Sequence, residues 1–411
     1  MTPGIHSAAM IRKSRITRPV AALFLAEVVS TTGSEIAAVA LPWFVLVTTG
    51  SPARMGVVMA AEFAGMALLG IPSGRAATAL GPRQTMLVSD LVSAPLVAVI
   101  PALHWAGVLS FPVIVAVGFA VGAFFPAYQA SQQLVLTQLV GEDQVRLTRA
   151  SALLGSVNET ASFVGPAVGG VLVALLGPAA TLVIDAGSYL AAFVLVALFV
   201  PGTAATAEEE GERGALEGLR FLRRDRRLLR TVVGIGVVEI GMTALFATLP
   251  VVARRRFHAS ARLAGWLLAS YGAGSVAGGL ISSRARSASE RTPAFAMMAM
   301  AATTWPLLAP VPAWAVGLAI AANGVCSGLF FPRFFADLTV RTPPRLRARV
   351  MASATTAMSA TGPLGFVGAG FLLQRSASAL PGFALVAAAT TLGAAIVTVS
   401  GFQHSPTAPG R

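Results

Sequence analysis

The chain has 411 residues, of which 55% are hydrophobic and only 11% are charged, and its formal net charge is +13 at pH 7. Because a soluble domain carries about 25% charged residues, this composition excludes a soluble globular protein. Apolar runs of membrane-spanning length recur along the chain and indicate a polytopic membrane protein, so the basic excess does not indicate a nucleic-acid partner. The single cysteine, Cys326, excludes a disulfide framework, and the sole lysine, Lys13, is not in a phosphate-binding loop, which excludes an ATP motor within this chain.

Twelve apolar stretches predict an all-α integral membrane protein with twelve transmembrane helices. The predicted spans are residues 19–48, 53–75, 83–104, 109–138, 148–176, 178–200, 231–253, 262–283, 293–310, 312–337, 348–373 and 380–402. The division that follows is a tail (1–18), a six-helix half (19–200), a polar linker (201–230), a second six-helix half (231–402) and a second tail (403–411).

The distribution of basic residues predicts the orientation of these spans. With both termini in the cytoplasm, 24 of the 30 basic residues fall in cytoplasmic segments and six fall outside. Cytoplasmic loops of membrane proteins are enriched in lysine and arginine, so this bias indicates that both termini are cytoplasmic. The cluster Arg254, Arg255 and Arg256, with Arg262, breaks the bias and is predicted to lie in a solvated outer loop, the alternative being a mouth that attracts anions.

The polar linker between the two halves is predicted to contain an amphipathic helix from Ala215 to Leu229. Its leucines and Phe221 would lie against the inner leaflet, and its arginines would face lipid headgroups. We expect this segment to connect and anchor the halves, with no chemistry of its own.

The two halves resemble each other, which indicates an internal repeat. Gly65, Gly70 and Arg75 match Gly274, Gly279 and Arg284 at an offset of 209 residues. Further matches are Leu41-Pro42 with Leu249-Pro250, and Phe124-Phe125-Pro126 with Phe330-Phe331-Pro332. Parallel repeats of this kind are typical of transporters that handle their substrate between the halves.

Carboxylates inside predicted spans are the first candidates for function. A charged side chain at the bilayer centre costs about 2.5–3.5 kcal/mol on insertion scales, so such residues usually serve a purpose. The histidines lie at span ends or in tails, which leaves carboxylates to carry any coupled protons. The candidates are Glu35, Glu62, Asp185, Glu159, Glu27 and Glu239.

These six carboxylates have different alternatives. Glu35 and Glu62 lie deep on adjacent spans and are predicted either to couple protons or contact substrate, or to make a structural polar contact. Glu27 and Glu239 are alternatively paired or hydrated in a cytoplasmic vestibule. Asp185 is alternatively a hydrogen-bond partner of a neighbouring helix, and Glu159 is alternatively a residue without a role in the cavity.

Aromatic and amide residues within spans are candidates for the lining of an apolar substrate cavity. Their alternative is to face lipid or the membrane interface, where most aromatic residues of spans lie. The candidates are Trp43, Phe124, Tyr128, Gln129, Asn158, Trp266, Tyr271 and Asn323.

Several stretches resemble the major facilitator superfamily, and within it the exporters of drugs and secondary metabolites such as macrolides and siderophores. They are ALPWFVLVTTGSP (40–52), GRAATALGPRQTMLVSD (74–90), QLVGEDQVRLTRASALL (138–154), GPAVGG (165–170), IDAGSYL (184–190), PPRLRARVMAS (343–353) and EGLRFLRRDRRLLR (217–230). The resemblance covers nearly the whole chain and implies alternating access between two six-helix halves.

The resemblance also implies roles for two motifs. Arg75, Gly81, Arg83 and Asp90 lie in the stretch similar to the family's gating loop, although Thr78 and Ala79 replace its usual acidic residue and arginine. The glycine-rich stretch on the fifth span is similar to the signature of exporters, and close helix packing is its alternative reading. Its residues are Gly165, Pro166, Gly169 and Gly170.

Together these patterns predict a secondary exporter of amphipathic small molecules in a bacterial plasma membrane, driven by proton antiport. We expect a monomer in the lipid bilayer whose partners are a small-molecule substrate and protons, with no cofactor, no metal and no nucleic acid. A nutrient importer or facilitator of the same fold and a non-transporting membrane sensor are the alternatives. An enzyme is not expected, because the sequence shows no nucleophile–base pair, metal cluster or phosphate loop.

Overall fold

The computed structural model describes residues 18–141, 143–202, 212–284, 292–343 and 346–402. It does not describe the side chains of residues 70–79, 212–216, 292–293, 348 and 400–402. Both predicted tails lie outside the described residues, except for Arg18. Nearly all of the described chain is helical, and it contains no β-strand.

Fourteen α-helices make up the described part of the chain. They are α1 (Arg18–Thr49), α2 (Pro52–Leu80), α3 (Pro82–Trp105), α4 (Phe111–Val140), α5 (Gln144–Leu176), α6 (Pro178–Phe199), α7 (Glu212–Arg224), α8 (Arg226–Val251), α9 (Ala261–Arg284), α10 (Thr292–Ala302), α11 (Ala313–Arg341), α12 (Arg347–Ser359), α13 (Gly362–Arg375) and α14 (Leu380–Phe402). A π-helical turn (Val252–Arg256) extends α8, and a 3₁₀ turn (Trp305–Leu308) follows α10.

Tight corners set the ends of several helices. Gly81 and Gly177 take φ angles of 86° and 84°, a left-handed region that favours glycine. A proline then opens the next helix, where its missing N–H costs no hydrogen bond. Such corners let consecutive helices pack antiparallel, as a bundle of membrane spans requires.

The predicted spans correspond to these helices, with two irregular cases in the second half. Ten described segments are long and apolar enough to cross a membrane. The span predicted at 293–310 is the short helix α10 followed by a 3₁₀ turn, and α9 is less apolar than the ten. The span predicted at 348–373 is interrupted near Thr361, whose hydroxyl donates to the carbonyl oxygen of Gly236 at 2.7 Å.

The linker helix α7 lies at one end of the helical bundle, which we call the linker side, and we call the opposite end the far side. The linker side carries α7 and the corner at Gly81, and the far side carries the corners at Gly107 and Gly177. Arg83 holds the linker side of the first half by donating to the carbonyl oxygens of Val200 and Ala197 at 2.7 and 2.8 Å.

The predicted repeat is visible in matched pairs of closely packed helices. In the first half, α2 packs on α4, with Gly65 against Phe119 and Gly122 against Glu62. In the second half, α9 packs on α11 in the same way. There Gly274 lies against Ala321, and Gly324 lies against Tyr271.

The two halves meet at the far side. Helix α5 packs on α9, where a Cβ on Gly170 would lie 3.1 Å from the Cα of Gly265. Helix α2 packs on α13, where a Cβ on Gly370 would lie 3.2 Å from the Cα of Gly56. Because small residues let these backbones approach closely, the contact closes the far side.

The linker helix differs from its prediction in extent and in what it contacts. It ends at Arg224, and Asp225 then caps α8 by accepting from the backbone N–H groups of Arg227 and Leu228. Leu222 is buried, Gly218 lies against the backbone of Arg349, and Glu217 pairs with the Arg349 side chain. Part of the apolar face of α7, including Leu222, therefore packs against the protein, whereas Leu219 on the same helix is exposed.

Candidate functional site: a central cavity

A cavity of about 1310 Å³ lies between the two halves. Its walls come from α1–α6, α8, α9, α11 and α13. Lining residues near the linker side, such as Ser156, Leu280 and Pro332, are exposed, whereas Ile100 and Leu182 toward the far side are buried. The cavity therefore opens toward the linker side and is closed at the far side.

Four carboxylates form one wall of this cavity, which we call the acidic wall. They are Glu35 on α1, Glu62 on α2, Glu159 on α5 and Asp185 on α6. Glu35 lies within electrostatic range of Glu62 and Glu159, and Asp185 lies within range of Glu62. The described lining contains no lysine, arginine or histidine, so nothing basic neutralises this wall from within the cavity.

The deep carboxylates of the acidic wall have few protein partners. Asp185 is 2% exposed, and its Oδ1 has no hydrogen-bond partner among the described residues. Within the same described set, no side chain forms a hydrogen bond or ion pair with Glu35 or Glu62. Glu159, nearer the linker side, is exposed and accepts a long hydrogen bond from Ser275 at 3.5 Å.

Small residues on neighbouring helices fix the positions of the three deep carboxylates. Gly165 on α5 packs against the Cβ of Glu35, and Gly122 on α4 packs against the backbone of Glu62. A Cβ on Gly33 would lie 3.1 Å from Oδ1 of Asp185. A side chain at any of these glycines would push the carboxylate or its helix away.

The second half contributes a wall of aromatic side chains, which we call the aromatic wall. It consists of Phe246, Tyr271, Phe331, Phe335 and Phe366. The rings of Phe246 and Tyr271 meet edge to face with centroids 5.4 Å apart, and the Tyr271 hydroxyl donates to Ser327 at 3.0 Å. Among the described residues of the first half, Phe63 and Tyr189 add to the aromatic lining.

The other two predicted carboxylates lie outside the cavity lining. Glu27 is 2% exposed and accepts hydrogen bonds from Thr31 at 2.9 Å and from the amide of Gln132. Asp90, from the predicted gating set, is 1% exposed near Glu27, and neither of its carboxylate oxygens has a partner among the described residues. Glu239 is half-buried on α8 and does not line the cavity.

Of the eight predicted cavity residues, only Tyr271 lies in the cavity wall. Asn323 instead donates to the carbonyl oxygen of Met300 and the hydroxyl of Thr303, both at 3.0 Å. These hydrogen bonds join α11 to the end of α10. Trp266 is exposed on the outer surface against Gly317, as the lipid-facing alternative requires. The remaining five, which also do not line the cavity, are Trp43, Phe124, Tyr128, Gln129 and Asn158.

The glycine-rich stretch of α5 lies at the interface between the halves. Gly165, Pro166, Gly169 and Gly170 are all buried. Gly169 lies against Ile36 on α1, and Gly170 lies against Ala261 and Gly265 on α9. The glycines of this stretch therefore pack closely against α1 and α9. The side chain of Arg75 lies outside the described part of the chain.

The four phenylalanines of the aromatic wall were not among the predicted cavity residues. Phe331 belongs to the repeated Phe-Phe-Pro motif, where it matches Phe125, whereas the candidate Phe124 matches Phe330. The second copy is the one whose ring lines the cavity. The match between repeats thus pointed to the motif, but it did not tell which copy, or which of its two rings, faces the cavity.

The arginines predicted to lie in a solvated outer loop bind helix ends. Arg254 donates to the carbonyl oxygen of Leu46 at 2.7 Å, across the two halves. Arg255 donates to Leu373 and Ser376, and Arg256 donates to Ala309 and Val311. Cations at the carbonyl ends of helices are favourable, so these arginines stabilise the closed far side.

Comparison with known proteins agrees with this architecture. The sequence profile of the Major Facilitator Superfamily matches residues 23–366. The chain belongs to this superfamily. Being a member of the Major Facilitator Superfamily, it is a multi-pass membrane protein of the transporter class, which takes small-molecule substrates.

Relatives and a solved structure extend this similarity over nearly the whole chain. The multidrug efflux pump Tap of Mycobacterium tuberculosis (strain ATCC 25618 / H37Rv) is 26% identical over 86% of this chain and 86% of its own length. Tap of Mycolicibacterium fortuitum is 29% identical over 86% of this chain and 88% of its own. The crystal structure of the nucleoside transporter NupG superposes with a TM-score of 0.72 at 12% identity, covering 94% of this chain and 98% of that one, and shows the shared fold.

Proposed function

We propose that the protein is a secondary exporter of amphipathic small molecules, such as drugs or natural products, that exchanges them for protons by alternating access. The observation that carries this proposal is the central cavity, which combines an apolar, aromatic surface with embedded carboxylates that lack basic partners. Relatives named as multidrug efflux pumps support drug-like compounds as the cargo.

Export requires a state in which the cavity is open to the cytoplasm, and the proposed orientation supplies one. The excess of basic residues in alternate loops supports a cytoplasmic position for the linker side, both termini and the linker. The cavity, which opens to the linker side, would then load its substrate from the cytoplasm. We propose the bacterial plasma membrane as the location, a monomer as the working unit and the lipid bilayer as its surroundings.

The coupling step is assigned to the deep carboxylates Glu35 and Glu62. A protonated carboxyl group is neutral, so protonation removes the charge that these groups place in the cavity. A ligand or proton shifts a conformational equilibrium only through its different affinity for the two states. The proposed cycle rocks 19–200 against 231–402, with 201–230 as the connection between these units, and needs no cofactor or enzymatic step.

The proposal is tested in everted membrane vesicles from a bacterial strain that lacks its own drug pumps. Respiration acidifies the vesicle interior, and a pH-sensitive dye reports proton release when compounds from a panel of neutral and charged drugs are added. Wild-type vesicles should release protons with at least one compound, whereas Glu35→Gln and Glu62→Gln vesicles should not. If both variants respond as the wild type does, the coupling assignment is wrong.

The same vesicles separate the alternatives. Everted vesicles accumulate an exported compound and release an imported one, so the direction of movement distinguishes an exporter from a nutrient importer. A sensor would bind a compound without moving it. Absence of proton release and of movement for every compound that binds would therefore overturn the proposal in favour of a sensor.

A further inference from the structure

The charged side chains that line the central cavity among the described residues are all acidic. Four carboxylates line it, and the described lining includes no basic side chain. An anionic ligand would meet repulsion from every charged group that it approaches in this cavity. A cationic ligand would meet attraction, and electrostatic complementarity of this kind discriminates between ligands of opposite charge.

The deep carboxylates also lack a basic partner among the described residues. Asp185 is almost completely buried and its Oδ1 accepts no hydrogen bond from a described residue. Glu35 and Glu62 make no described ion pair, although both line the cavity. Buried charges in proteins are normally paired, so a cation in the cavity would supply the missing partner.

The opposite wall suits the rest of such a molecule. Phe246, Tyr271 and Phe331 present aromatic surface from the second half, and the cavity of about 1310 Å³ exceeds the size that a single drug-sized ligand requires. Aromatic rings bind apolar bodies through dispersion and burial, and their faces attract cations, above all delocalised ones that shed water easily.

We infer that the cavity selects amphipathic cations, with the charge held near Glu35, Glu62 and Asp185 and the apolar body held against the aromatic wall. This inference rests on the proposed function and names the substrate class of the same site. Glu159, which is exposed nearer the linker side, is the first carboxylate that an entering cation meets.

The test compares two ions of nearly identical size and shape and opposite charge. Equilibrium binding of tetraphenylphosphonium and tetraphenylborate is measured on the purified full-length protein in detergent. We expect tetraphenylphosphonium to bind and tetraphenylborate to compete poorly. Removing one carboxylate by Glu35→Gln, Glu62→Gln or Asp185→Asn should weaken tetraphenylphosphonium binding about tenfold, because two deep carboxylates remain.

A matched control keeps the change in net charge constant. Asp337→Asn also removes one negative charge, but Asp337 is exposed on α11, where it pairs with Arg341 at 2.8 Å outside the cavity lining. This variant should bind tetraphenylphosphonium as the wild type does. A size-exclusion profile of each variant identifies one that has not folded, and the competition between the two ions needs only the wild type.

The outcomes separate this inference from the proposed function. Equal binding of both ions, or equal losses in Asp337→Asn and the cavity variants, would overturn selection for cations. Export of neutral compounds by vesicles of a protein that binds both ions equally would leave the exporter standing without this selectivity. Selective binding of the cation with no transport of any compound would support the cation site and overturn export.

Discussion

The two halves of the molecule share one packing scheme but line the cavity with different chemistry. Glu62 on α2 and Tyr271 on α9 are 209 residues apart, the offset of the repeat, and both line the cavity. Each lies against a glycine of the partner helix, Gly122 for Glu62 and Gly324 for Tyr271. The repeat therefore preserves the position and replaces a carboxylate by a phenol.

The same contrast recurs on the first span of each half. Gly33 packs against Ser188 and Asp185 on α6, and Gly241, 208 residues later, packs against Thr390 on α14. The first half carries Asp185 near this contact, whereas α14 has no acidic residue. Close packing is thus common to both halves, and the charge that would recognise substrate and protons is confined to one.

The largest effect is expected from neutralising the acidic wall. The triple variant Glu35→Gln/Glu62→Gln/Asp185→Asn should reduce export of a lipophilic cation by about 100-fold or more, because each carboxylate alone contributes about tenfold, roughly 1.4 kcal/mol, and neighbouring contributions add only in part. Accumulation of tetraphenylphosphonium in everted vesicles measures it. A loss below about tenfold, or an equal loss in Asp337→Asn, would show that the acidic wall does not carry the selectivity.

A smaller and less selective effect is expected from the aromatic wall. Phe331→Ala removes a ring from the cavity surface and should weaken binding of cationic and neutral compounds alike, by about tenfold, from loss of apolar contact. Binding of tetraphenylphosphonium and of the neutral triphenylphosphine oxide checks this. Weakening confined to the cation would assign charge recognition to this wall as well.

A substitution at the far side tests which contacts hold the two halves together there. Arg254→Gln removes the charged donor to the Leu46 carbonyl, and a hydrogen bond from a charged group contributes about 1.5–3 kcal/mol. The variant should populate states open at the far side more often. A thiol-reactive reagent should therefore label a cysteine placed at Ala261, in a Cys326→Ser background, at a higher rate than without the Arg254→Gln change. Arg375→Gln, nearby but with no such contact described, is the matched control.

The smallest effect is expected from the one hydrogen bond of the aromatic wall. Tyr271→Phe keeps the ring and removes the hydroxyl that donates to Ser327. Because a neutral hydrogen bond contributes about 1 kcal/mol net, the affinity for tetraphenylphosphonium should change by less than about fivefold. A change as large as that of Asp185→Asn would give this hydroxyl a direct part in binding the cation.

The sequence predicted the fold because membrane spans leave a strong one-dimensional signal. Span length, apolar runs and the offset between Gly65 and Gly274 are all local features that need no knowledge of packing. The carboxylates Glu35 and Glu62 stood out for the same reason, since a charge within an apolar span is conspicuous.

The cavity lining was harder to predict because it depends on helix rotation. Tyr271 and Trp266 lie five residues apart on α9, yet one faces the cavity and the other the outer surface. An apolar helix surrounded by apolar neighbours and lipid carries little periodic contrast that would reveal its orientation. The carbonyl partners of Arg254, Arg255 and Arg256 were not predicted for a related reason, since contacts with other helices are invisible in sequence.

The most direct test is to measure protons released when a cation binds. If the deep carboxylates hold either protons or the substrate, adding tetraphenylphosphonium to the purified protein in weakly buffered solution near neutral pH should release protons. The release should be reduced in Glu35→Gln and Glu62→Gln and retained in Asp337→Asn. Binding without proton release, or the same release in all of these variants, would contradict the shared use of this acidic wall.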